Sequence, residues 1–161
     1  MGCDDIKKTE SDNYVILFFS VLTLVFNIYL LILKCTPIYP DKLILGLCLI
    51  ITTLLVIFIP VKVISKKDGE DAPVYVKDIL DISHWGYVVV VPLAILLSRS
   101  IPMIILFLNV SWFALIGRAI YKFCPLTSIA EKSTQVNLNA SLVNLFFILC
   151  VLIAMIRIII N

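Results

Sequence analysis

Asp78, Asp81 and His84 follow one another at three-residue spacing, and His84 is the sole histidine of the chain. On a helix that spacing puts all three near one face. A carboxylate one turn before an imidazole can orient it for proton handling or metal binding. One histidine with two aspartates is nonetheless a thin metal site without ligands from other elements. Acidic residues beside an apolar run also serve as plain interfacial anchors, and that is the expectation for Asp78 and Asp81. Asn109 stands in the returning segment and is the natural third member of any small-ligand site with Asp81 and His84. Nothing else in the chain resembles a reaction centre. It holds no nucleophile–base–acid set, no phosphate-binding glycine loop and no metal-ligand cluster. The expectation is therefore no catalytic residues, no metal and no cofactor, with Asp81, His84 and Asn109 as the alternative.

The elements that position these residues are apolar. Hydrophobic residues make up 61% of 161, and the mean hydropathy is +1.10. Five apolar stretches cover residues 14–33, 43–64, 86–97, 101–116 and 140–160. The first, second and last reach the ~20 residues a helix needs to cross a bilayer. The fold class expected is all-α: an integral membrane helical bundle of five hydrophobic segments. The third segment is short, and a re-entrant path is its alternative, since irregular backbone at depth must be shielded by protein. A net charge of +2 gives no electrostatic support to nucleic-acid binding. The partners expected are the lipid bilayer and other protein subunits.

The chain divides into a polar tail (1–13), a first transmembrane hairpin (14–64), and a charged loop with an interfacial helix (65–85). A second hairpin (86–123) and a long C-terminal helix (128–161), membrane-spanning from about 140, complete it. Asp12, Asn13 and Asp41 have the chemistry of N-caps, and Pro60 is placed to kink the second span. Trp85 and Tyr87 suit headgroup depth. Ser128 and Glu131 have capping-box spacing. Asn27, Asn109 and Asn144 fall inside spans, where each should face another helix. Arg157 should snorkel to the far interface and meet the C-terminal carboxylate.

The five cysteines form no CxxC pair, and a disulfide framework is not expected. No GxxxG pair occurs. Gly2 and Cys3 are possible acylation sites by type, but Ile6 stands where the acceptor pattern wants Ser or Thr, so an unmodified tail is expected. The tail has no secretory-signal pattern. Asn109-Val110-Ser111 and Asn139-Ala140-Ser141 match the glycosylation pattern; one lies in a span and the other on the expected inner side.

His84, Trp112, Cys124-Pro125-Leu126-Thr127 and Glu131 together resemble a family of small bacterial membrane proteins of no established activity. That family places a His near the start of one helix, then a hairpin, a Trp in the returning helix, Cys-Pro-Leu-Thr and a Glu. The likeness covers about residues 81–131. A second His of the family is missing, with Asn109 in its neighbourhood, and the Glu is displaced by one position. The resemblance implies architecture; without the second His it implies no haem or metal site. The chain is also similar in style to small virion membrane proteins of large DNA viruses, which sit in the internal membrane and tether the shell to it. That likeness implies a non-enzymatic structural or assembly protein, a minor capsid component.

Nine of the 13 Lys and Arg fall on one side of the expected topology, and Lys34, Lys42, Arg99 and Arg157 fall on the other. The positive-inside rule then puts the N-terminus inside and, after five crossings, the C-terminus outside. Protease access to tags on the two termini should differ accordingly; tags on the same side would contradict five crossings.

Overall fold

The computed structural model describes residues 3–34, 38–67, 70–121 and 140–160, with side chains over 14–34, 38–65, 70–120 and 142–160. These residues form α1 (Cys3–Ile32), α2 (Tyr39–Lys67), α3 (Val74–Leu97), α4 (Ile101–Tyr121) and α5 (Ala140–Ile160). All five helices are long and apolar enough to cross a membrane. A spanning helix satisfies its own backbone where no water is present, so apolar runs of this length take no other form. The Ser128–Glu131 capping box, the Cys-Pro-Leu-Thr run, Asn139 and the polar half of the expected C-terminal helix lie outside the described residues.

Three boundaries differ from the sequence expectation. First, α3 is one helix of 24 residues, about 36 Å long. It absorbs both the expected interfacial helix and the short third segment, so the re-entrant alternative does not hold. The cause is an unbroken buried stripe: Val76, Leu80, Ser83, His84, Tyr87, Val90, Val91, Ala94 and Ile95 follow one helical period across Gly86. Second, α1 starts at Cys3, which puts Asp12 and Asn13 inside the helix rather than at its cap. Propagating an existing helix gains one hydrogen bond per residue, whereas starting one is costly. Third, Asp41 sits in the first turn of α2 but caps nothing there. Fully buried, it accepts a hydrogen bond from the Arg99 backbone N–H at 3.2 Å.

α2 packs most extensively against α3 and α1, and α5 against α4; α3 also meets α4 and α5, and α1 meets α4. Gly86 lets α3 close on α2, because a Cβ there would stand 2.8 Å from Ile51 Cδ1. Pro102 occupies the second position of α4, where its missing N–H leaves no bond unmade.

The tight α3–α4 turn at Ser98, Arg99 and Ser100 is held from two sides. Asp41 of α2 takes the Arg99 N–H. Arg157 of α5 donates to Ser98 O at 2.5 Å and also to Ile95 O. Arg157 therefore does not simply snorkel outward. Its fork satisfies the last carbonyls of α3, at the helix end where a cation is also favoured by the backbone dipole. Ser98 and Ser100 are buried, so water does not replace these bonds. Arg157→Leu should lower stability by about 1–3 kcal/mol, and Arg157→Lys by less, measured by denaturant unfolding in detergent micelles. Equal stability of parent and Arg157→Leu would show that the turn needs no such clamp.

Candidate functional site

α3 brings its chemistry to the centre of the bundle. The imidazole of His84, 8% exposed, borders a cavity of about 50 Å³. All five helices reach that cavity: Ser20 and Phe19 from α1, Leu55 from α2, Tyr87 from α3, Phe113 from α4 and Phe147 from α5. A water needs on the order of 10–15 Å³ in this measure, so the space suits three or four heavy atoms. Phe19 and Phe113, both on its wall, stack directly on each other with ring centroids 3.8 Å apart, which ties α1 to α4.

Asp81 lies one turn before His84 and is half-buried, while Asp78 is exposed. Asp81 Oδ1 is sealed from the surface and takes no hydrogen bond. The Asp81 carboxylate and the Arg118 guanidinium both lie in the neighbourhood of His84. Arg118 Nε donates to Asn144 Oδ1 at 2.6 Å, joining α4 to α5 on this same side of the cavity. Lys62 is inside α2 and buried.

Asn109 does not join this group. It is exposed on the outer face of α4, and its amide donates to Ile105 O of its own helix at 3.0 Å. The neighbouring positions Val110, Phe113 and Ala114 turn to the cavity instead. The alternative site thus brings Asp81 and His84 together and leaves Asn109 out. Among the described residues no three His, Cys, Asp or Glu side chains are grouped to hold a metal.

Two further polar contacts lie deeper. Asn27 Nδ2 reaches Cys48 Sγ at 3.2 Å, linking α1 to α2. Tyr87 of α3 lies beside the same thiol. Tyr87 is buried inside the bundle, on the stripe that carries His84. Cys48 and Cys150 are free and buried. The Asn144 and Asn27 contacts are of the interhelical kind expected for asparagines in spans, and Asn109 departs from that expectation. The role of Arg118 was missed; its signal in the sequence is an arginine still inside an apolar run, with an asparagine early in the next one.

No family model, curated protein or solved structure matches the chain.

Filling the cavity should stabilise the bundle. Ala114→Val adds two methyl groups at its wall and should raise stability by about 0.5–1 kcal/mol in micelle unfolding. A loss of 1 kcal/mol or more would mean that the wall at Ala114 is already close-packed.

Proposed function

We propose that the chain is a non-enzymatic membrane module whose work is assembly, docking to other protein subunits within a bilayer. One observation carries this: several polar side chains held inside the bundle bridge from one helix to another. Asn27 and Cys48 join α1 and α2; Arg118 and Asn144 join α4 and α5; Asp41 and Arg157 hold the α3–α4 turn. A transporter needs such groups at its substrate path, and an enzyme needs them at reacting atoms. The most specific form of the proposal is a minor capsid component in the internal membrane of a virion, anchoring shell to membrane. It rests only on the likeness in style to such proteins.

A second reading has one observation in its favour, the cavity beside His84 and Asp81. It makes the chain a binder of a small ligand of a few heavy atoms, without Asn109. Absorbance spectra and metal analysis of the purified protein separate the two. The assembly proposal expects crosslinking mass spectrometry in native membranes to join the chain to other proteins, with no chromophore or metal co-purifying. It also expects His84→Ala to keep those crosslinks. A stoichiometric chromophore or metal lost on His84→Ala would favour the second reading, and substrate turnover or flux across liposomes would sink the first.

A further inference from the structure

α4 carries two side chains on its outer face that suit lipid poorly. Its exposed side chains are Ile105, Asn109, Trp112, Ile116, Ala119 and Ile120. Asn109 is the ninth of 21 residues in α4, about 12 Å along a helix of about 31 Å. An amide near mid-span is costly in hydrocarbon unless it finds a partner. Among the described residues it is the one carboxamide exposed on an outer face: Asn27 is buried and Asn144 is half-buried against Arg118. Trp112 is 46% exposed one turn further on, whereas tryptophan on a lipid-facing surface favours the interfacial belts.

The spacing of this face is specific. Ile105, Asn109, Trp112, Ile116 and Ala119 alternate in steps of four and three, which is the a/d seam of a coiled coil. A single asparagine within such a seam fixes register and favours pairing with its own copy. The amide is self-complementary: one N–H goes to Ile105 O, and its other N–H and its Oδ1 match the same two groups of a second amide.

We propose that α4 is a homodimer interface, in which two copies of this chain pair their outer α4 faces with Asn109 against Asn109. Copies inserted in one orientation are related by a two-fold axis along the membrane normal. Their α4 helices then run parallel, and both Asn109 side chains meet at one depth. Each amide donates once and accepts once across the axis. Trp112 and Ile116 pack on the inner side of the seam, and Ile105 packs on the outer side. This surface rests on the assembly proposal above and names its first partner, a second copy.

The test is energy transfer between donor- and acceptor-labelled full-length chains in phosphatidylcholine liposomes, diluted stepwise with lipid. The parent should associate. Asn109→Leu, which suits lipid better and leaves the bundle interior untouched, should weaken association about tenfold or more. Asn109→Gln should lose less, and Trp112→Leu should also weaken it. Leu96→Ala, on the exposed face of α3, should change nothing. A parent that stays monomeric at the highest protein density would overturn the proposal, as would Asn109→Leu associating as tightly as the parent. Either result, with crosslinks to other proteins retained in native membranes, would remove the homodimer and leave the assembly proposal standing.

Discussion

In a bilayer no water replaces a missing hydrogen bond, so each polar group at depth must find its partner within the protein. That constraint organises this bundle more than any apolar contact does. The helices are apolar nearly all round, and lipid competes with protein for their surfaces. What distinguishes one packing from another is where the few polar side chains land. Asp41 and Arg157 converge on the α3–α4 turn from two other helices and fix one end of the bundle. Arg118 and Asn144 tie α4 to α5 toward the other end. Between them, Asn27 of α1 reaches Cys48 of α2.

The apolar contacts fill in around this frame. Phe19 stacks on Phe113 where α1 meets α4, and Gly86 admits Ile51 where α2 meets α3. The remaining void lies beside His84, where side chains from five helices converge without closing. Its lining is mostly aromatic and aliphatic. A histidine on such a wall has fewer chemical options than the same histidine in an acidic cluster, which is why the cavity argues for a small binding site at most.

The five spans were legible because transfer free energy is nearly additive along a helix. The break expected at Gly86 was not real. Lys77, Asp78, Asp81 and His84 depress local hydropathy, yet they sit on a helix whose buried stripe continues through them. Hydropathy averages over all faces, and the stripe occupies one. The roles of Asp41 and Arg157 were out of reach for a different reason. Each acts on backbone far away in sequence, and only the packing of α2 and α5 on the turn decides that contact. The candidate site was half legible. Asp81 and His84 are neighbours by helical spacing alone, whereas placing Asn109 required the rotation of α4, which no local pattern in α3 reveals.

The central claim is that polar pairs at depth tie helices to one another. A double-mutant cycle on Arg118→Leu and Asn144→Leu, read by reversible unfolding in micelles, measures one such tie directly. A coupling energy of about 0.6 kcal/mol, and at most about 1.7, is expected, the average and the maximum found by such cycles for interhelical hydrogen bonds in a membrane protein. Additivity of the two substitutions within about 0.3 kcal/mol would contradict the account.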